Sequence, residues 1–167
     1  MDEVESIERS VREELERLSA RYERMPCDPA LADTAAFCAH YGVSPGMSAN
    51  AILVASRREP KIYAACLVLA TTKLDVNKKV SELLGVKKLS FASAEETKAV
   101  TGMMIGGVTP FGLPEGIPIY VDSRIVTLPE VIVGGGSRSS KLRVAPEVFA
   151  RMPAVRVVEG LALEREG

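Results

Sequence analysis

Two glycine-rich stretches carry the strongest chemical signal in this chain. Gly106-Gly-Val-Thr-Pro-Phe-Gly112 and Gly134-Gly-Gly-Ser-Arg138 each leave or join apolar segments. A missing Cβ lets ligand and backbone approach closely and frees N–H groups to face an anion or a carbonyl oxygen. Tight turns that need positive φ use the same residues, and the sequence leaves both readings open. Neither stretch is a known phosphate motif, because no Gly-Lys-Ser/Thr follows at the required spacing and the six-residue dinucleotide fingerprint is absent. His40 is the sole histidine, so no Ser-His-Asp triad can be built, and no nucleophile elbow occurs. Cys38 and His40 are badly spaced for a thiol–imidazole pair. An open zinc site needs three protein ligands, and Cys27, Cys38, Cys66 and His40 form no ligand pairs, so no metal is expected. Three cysteines without a CxxC pair read as free thiols.

The elements that must position these loops follow from periodicity. Val4, Ile7, Val11, Leu15, Leu18 and Tyr22 recur at three and four residues and predict one amphipathic helix. Asp2 and Glu5 have capping-box spacing. The stripe is narrow and the opposite face is charged, so this helix is expected to be peripheral and the core to fold without residues 1–22. Met25-Pro-Cys-Asp-Pro29 breaks the pattern, a second helix is predicted over Ala30–Tyr41, and Gly42 stops it. Ala51–Ser56 and Ile62–Thr71 read as strands of a hairpin, too apolar for an exposed sheet, so at least one is central. A short helix over Val76–Leu84, a strand at Leu89–Phe91 and a helix capped by Ser93 and ended by Gly102 follow. After the first glycine loop come strands at Ile117–Val121 and Val131–Val133. A short helix at Ala145–Ala150 and a strand at Val155–Val158 follow the second loop. The tail from Glu164 is expected to fray. Short strands mixed with short helices, without steady βαβ alternation, argue for an α+β fold around a mixed, curved, barrel-like sheet.

Composition narrows the function classes. At 167 residues the chain suits one domain with a real core. No apolar run approaches the ~20 residues of a membrane span, and the acidic start is unlike a signal peptide, so a cytoplasmic protein is expected. Net charge is −1, yet residues 1–33 hold ten acids against five bases. The remainder is net positive, with surpluses at Lys73–Lys88 and Arg138–Arg151. Such patches either meet phosphates or are solvated faces.

A family resemblance covers most of residues 27–160. It rests on Asn50-Ala-Ile-Leu-Val54, Leu74-Asp-Val-Asn-Lys-Lys79, Leu84-Gly-Val-Lys-Lys88, Glu95-Glu96 and Thr101-Gly102. It continues through Gly106-Gly-Val-Thr-Pro-Phe-Gly112, Pro118-Ile-Tyr-Val-Asp122 and Val133-Gly-Gly-Gly-Ser-Arg138. In this order and spacing the chain resembles the YbaK/prolyl-tRNA-synthetase-associated editing domains. The resemblance implies a domain over residues 27–163 behind an N-terminal helical extension at 1–26. It implies a trans-acting aminoacyl-tRNA deacylase that hydrolyses the ester of mischarged tRNA and needs no cofactor. Gly106, Gly107 and Thr109 would aim backbone donors at the ester carbonyl, an oxyanion device, and a terminal ribose hydroxyl of the tRNA would help activate water. On this reading Gly107→Ala keeps the fold and lowers hydrolysis. Pro110, Phe111, Gly112, Gly134, Gly135, Gly136, Ser137 and Lys141 would line the aminoacyl pocket, though a phenylalanine such as Phe111 more often packs in the core than stacks on an adenine. Lys73, Lys78, Lys79 and Arg138 would meet the acceptor end of tRNA, or be solvated. An aminoacyl-tRNA synthetase is a further partner the resemblance suggests; oligomeric state is not legible. One departure stands out. Many family editors have a lysine where this chain has Asn50, which can hydrogen-bond but supplies no cation. Lys141 could restore one. A non-catalytic module that binds an aminoacyl group, tRNA or a partner is therefore the alternative.

Overall fold

The structure is a computed structural model that describes residues 2–165. Helix α1 (Glu3–Arg17) starts where the Asp2 carboxylate accepts a bond from the Glu5 amide, and acidic Glu3 and Glu5 sit in its first turn, the end that favours negative charge. Strand β1 (Tyr22–Pro26) follows. Helix α2 (Thr34–Tyr41) ends at Gly42 with φ 68°. Strands β2 (Ala49–Ser56), β3 (Tyr63–Leu69) and β4 (Thr72–Leu74) lead into a π turn at Val76–Val80 and a short helix α3 (Ser81–Leu84). Then come β5 (Leu89–Phe91), α4 (Ala94–Thr101), β6 (Ile119–Asp122), β7 (Val131–Gly134), β8 (Ser140–Val144), β9 (Val155–Val158) and β10 (Ala162–Glu164).

The fold is α+β, as the pattern predicts. The main sheet has the order β5-β2-β3-β6-β9. Its β5/β2 and β2/β3 pairs are antiparallel, and its β3/β6 and β6/β9 pairs are parallel. A second sheet, β1-β8-β7, is antiparallel, and β10 pairs β4 in a third. A parallel bridge between Ser48 and Ile132 joins the start of β2 to β7. None of the sheets closes into a barrel. The apolar β3 is interior, as expected, and explains itself by its alternation. Ala65, Leu67 and Leu69 face the main core, while Ala64, Cys66 and Val68 face a second core formed with Val80, Leu89 and Leu161.

Two differences from the sequence expectation share one cause. The apolar stripe predicts helix through Tyr22, but the chain leaves α1 at Arg17, turns at Ser19 with φ 52°, and pairs Tyr22 with Val144. The strand β8, not expected from the sequence, lies between β1 and β7 and is hydrogen-bonded on both sides. β1 was invisible locally because its partner is more than a hundred residues away, and β8 lies between that distant strand and nearby β7. The helix α1 is also not peripheral. Val11 and Leu15 are fully buried in the main core, beside Leu67, Val121 and Val133. At about 1.5–3 kcal/mol for each fully buried side chain of this size, a core folded without residues 1–22 is no longer the expectation. Glu164 also departs from the reading as a frayed tail, since it pairs with Thr72; the last two residues of that reading lie outside the described residues.

Candidate active site

The start of β2, the start of α2, the first glycine loop and the β7–β8 connection converge on one polar cavity of about 230 Å³. Asp33 and Thr34 enter from α2, Asn50 from β2, Gly106 and Val108 from the loop, Gly134 from β7 and Lys141 from β8. Four residues expected at the site, Asn50, Gly106, Gly134 and Lys141, are thus brought together from four places in the sequence.

Lys141 dominates the cavity electrostatically. It is 6% exposed. Its ammonium donates to the Gly106 carbonyl at 2.7 Å and sits 5.6 Å from the centre of the Phe37 ring. A buried cation needs such partners. Burial pushes its pKa down, as does neighbouring Arg138, against the opposing pull of Cys27. Asn50 is held by the Thr34 hydroxyl, which donates to its side-chain carbonyl. That leaves the NH2 end of the carboxamide as the donor for a ligand. An apolar groove of about 500 Å³ adjoins the cavity. It shares Thr34 and Asn50, and adds Cys38, Val43, Ala70 and Arg165.

The glycines serve chiefly to let the two loops interlock. The Gly136 amide donates to the Gly107 carbonyl at 2.6 Å, and the Met104 amide to the Gly136 carbonyl at 3.0 Å. A Cβ on Gly107 would lie 2.0 Å from the Ser137 carbonyl oxygen, and one on Gly134 would lie 2.4 Å from that of Val108. The Gly107 N–H donates to the Met104 carbonyl at 2.8 Å, so it does not face the cavity as a free donor. Gly106, at φ 85°, is the loop residue beside Lys141 and lines the cavity. Among the described residues no hydrogen bond takes up its amide N–H.

Other residues expected at the site lie elsewhere. Thr109 and Phe111 are fully buried. Phe111 stacks on Phe149 in the core with ring centroids 6.0 Å apart, so it offers no face to a ligand. The Thr109 hydroxyl is buried without a partner. Pro110 is buried too, and Gly112 lies under α1, facing Ser10 and Val11. Gly135, Gly136 and Ser137 form the buried back of the second loop. Arg138 is a clamp. Its guanidinium donates to the carbonyls of Pro29 and Ile105 and to the Asp33 carboxylate at 2.9–3.1 Å. Lys73 on β4 and Lys78 in the π turn are exposed, with Lys79 half-buried beside them. Asp33 and Thr34 were missed. Their only local signal is a capping-type Asp-Thr pair at the entry to α2.

The brace from α1 was also missed. Glu8 is 13% exposed and accepts from Arg24 at 2.8 Å and from the Ser137 hydroxyl at 2.7 Å. Ile7 and Val11 lie within 3 Å of where a Gly136 Cβ would be. The helix therefore fixes the second loop, which fixes the first. Burial raises the Glu8 carboxyl, but the bonds from Arg24 and Ser137 outweigh it and hold its pKa below the usual carboxylate value. A depressed folded-state pKa means stability that is present above the unfolded value and lost as pH falls through the folded one. Glu8→Gln is expected to cost about 1–2 kcal/mol at pH 7. The gap to wild type should close as pH drops below about 4. Denaturant melts across pH read this directly, and a gap that persists undiminished at pH 3 contradicts it.

The three cysteines are free and buried; burial raises the Cys27 thiol and pushes Cys66 up to about 12. Among the described residues no three His, Cys, Asp or Glu side chains converge as a metal site would need. No helix is long and apolar enough to cross a membrane.

Against known proteins, the sequence profile of the aminoacyl-tRNA editing domain matches residues 28–152. The chain belongs to that editing-domain family. A relative in Enterococcus faecalis named "Putative Cys-tRNA(Pro)/Cys-tRNA(Cys) deacylase EbsC" is 24% identical over 108 residues, 65% of this chain and 64% of that protein. A proline–tRNA ligase of Brachyspira hyodysenteriae is 33% identical over 78 residues, 46% of this chain and 14% of the ligase. YwhH of Bacillus subtilis, an uncharacterized protein, is 36% identical over 85 residues, 51% of this chain and 53% of its own length. The chain thus spans less than two thirds of each of these curated relatives. The editing-domain fold is equally clear in solved structures. "Crystal structure of a putative trans-editing enzyme for prolyl tRNA synthetase" superposes with TM-score 0.75 at 24% identity, covering 95% of this chain and 97% of that one. The hypothetical protein APE2540 superposes with TM-score 0.80 at 25% identity over 92% and 99%. The editing-domain match begins at residue 28, so α1 and its brace on the second loop lie outside it.

Proposed function

We propose that this editing domain hydrolyses the ester of a mischarged aminoacyl-tRNA in trans, with Lys141 supplying the cation that Asn50 does not. The observation that carries this reading is the meeting of Lys141, Asn50 and Gly106 in one cavity. Water adds to the ester carbonyl and negative charge grows on its oxygen. The Lys141 ammonium, the Asn50 NH2 group and the Gly106 amide are the donors placed to meet it, and preorganised donors of this kind are the main lever in acyl transfer. The carbon–oxygen bond to the ribose then breaks, the ribose oxygen takes a proton, and the amino acid leaves as a carboxylate. The ribose hydroxyl next to the ester is the group proposed to activate the water, in keeping with a cavity that holds no histidine. The unit proposed to do this is residues 27–163 braced by α1, acting on the acceptor end in the cytoplasm, with Lys73, Lys78, Lys79 and Arg138 on the tRNA side. A synthetase partner fits the likeness to a segment of proline–tRNA ligase.

The cavity is smaller than the ~300 Å³ at which ordinary ligand pockets begin, which favours a small aminoacyl group such as alanyl, seryl or cysteinyl. Single-turnover hydrolysis of a panel of aminoacyl-tRNAs, small to large, tests the reading. Turnover of a small member and neglect of large ones is expected. The non-catalytic alternative is kept by Asn50, and tRNA binding without hydrolysis of any ester in the panel would establish it.

A further inference from the structure

The two ends of β2 differ in chemistry. Its start holds Asn50 and the cavity, and its far end opens into the β2–β3 turn with Arg57 and Arg58. The Arg57 amide donates to the Lys88 carbonyl at 3.0 Å, which brings the segment before β5 alongside the turn. Arg58, Lys87 and Lys88, with Val86, enclose a notch of about 270 Å³. Arg57, Arg58, Lys87 and Lys88 are all exposed, and among the described residues none of them is in an ion pair. Glu59 is the acid in the same turn, while nearby Lys61 is already paired with Glu96 at 3.8 Å. Some surface cations elsewhere pair, as in Arg9–Glu13, Lys98–Glu3 and Arg143–Glu130, and others such as Arg12 and Arg156 stand singly among the described residues; here the unpaired ones are clustered. Four unpaired cations around a notch form an anion surface, not a balanced solvated face.

The distance to the cavity suggests the anion. At about 3.3 Å per residue, the strand from Asn50 to Arg57 separates the cavity from the notch by roughly 23 Å. The chain from β4 to β5 leads from Thr72, bonded to the Arg165 that lines the apolar groove, to Lys88, and carries exposed Lys73 and Lys78. We infer that the Arg57–Arg58/Lys87–Lys88 notch docks backbone phosphates of the RNA duplex behind the single-stranded 3′ end whose ester enters the cavity. This rests on the deacylase reading for its geometry, and it adds a second, distal contact that selects a structured RNA over a bare 3′ end. Phosphate contacts are sequence-independent and release counterions, so they show in the salt dependence.

The test uses the full chain and two RNA probes. Neither carries an amino acid: one is an RNA minihelix with a single-stranded CCA end, and the other is that 3′ end as a free oligonucleotide. Both bear the phosphate charge that the inference turns on, and wild type is expected to prefer the minihelix. The double variant Arg57→Glu/Lys88→Glu, at unchanged Tm, should bind the minihelix at least about tenfold more weakly, with a salt slope smaller by about two. If that variant fails to fold, the neutral pair Arg58→Gln/Lys87→Gln replaces it and should weaken minihelix binding in the same direction. Equal wild-type affinity for both probes overturns the inference, as does a folded variant that binds the minihelix within about twofold of wild type and with the same slope. Hydrolysis of the aminoacylated minihelix by wild type reads the deacylase assignment separately. Absent hydrolysis with notch-dependent binding rejects the chemistry and retains the docking surface.

Discussion

Replacing Lys141 by methionine is expected to lower ester hydrolysis by about a hundredfold or more, while leaving a folded protein. Removing one preorganised donor from an oxyanion site typically costs ~10²–10³ in rate, and among the described residues Lys141 is the only cation lining the cavity. Its loss also frees the Gly106 carbonyl that it holds at 2.7 Å, loosening the loop residue beside it. The fold should survive because two effects offset. The Gly106 carbonyl loses a partner, worth about 1–3 kcal/mol when buried, but a buried ammonium no longer has to be desolvated. Lys141→Arg should not rescue, since a planar guanidinium cannot put its fork of donors where the single ammonium meets the Gly106 carbonyl. Single-turnover rates on the best substrate, beside thermal melts, decide this. A folded methionine variant within about threefold of wild type would show that the cavity does not work through Lys141. The pH profile gives a second reading. Burial, then Arg138, push the Lys141 pKa down. The catalysed rate needs the protonated form, so it should decline on the alkaline side earlier than an ordinary lysine would dictate.

Gly107→Ala is the other large effect, and the structure changes its nature. From sequence, the substitution keeps the fold and removes a carbonyl donor. In the structure the Gly107 N–H is already spent on Met104, and a Cβ would lie 2.0 Å from the Ser137 oxygen and 2.6 Å from the Ser137 carbon. Both are backbone atoms, so no rotamer relieves the contact and the two loops must separate. Overpacking of this kind costs about 3 kcal/mol or more, a large share of the ~5–15 kcal/mol of a typical domain. The Gly136–Gly107 bond would go with it. Gly85→Ala is the control. It has φ 68° but open space around the missing Cβ, so it should cost only about 1–2 kcal/mol. Denaturant midpoints compare them, and a Gly107→Ala protein as stable as Gly85→Ala would mean that the loops are not interlocked.

Residues act far from the cavity through the same packing. Glu8 and Val11 never touch it, yet they brace Ser137 and Gly136, and Gly136 is bonded to Gly107. The helix read as an accessory therefore belongs to the support of the site.

What the sequence determined by itself were the features written in local physics. Glycine at the ends of α2, α3 and α4 takes φ of 68–75°, Ser93 caps α4, and the unbroken apolar run of β3 requires burial on both faces. The ordered glycine, proline and asparagine fragments marked the editing family as well, because backbone approach distances tolerate few other residues. Tertiary structure alone decided what depends on distant partners. The strand β1 exists because Tyr22–Pro26 meets Ser140–Val144 of β8. Phe111 went to the core because Phe149 awaited it. Lys141 became a cavity residue and Arg138 a clamp because strand register, not local pattern, fixes which way a side chain faces. A charged residue after a glycine loop reads the same whether it is solvated or buried against a carbonyl, and only the packing of four separate segments around it tells the two apart.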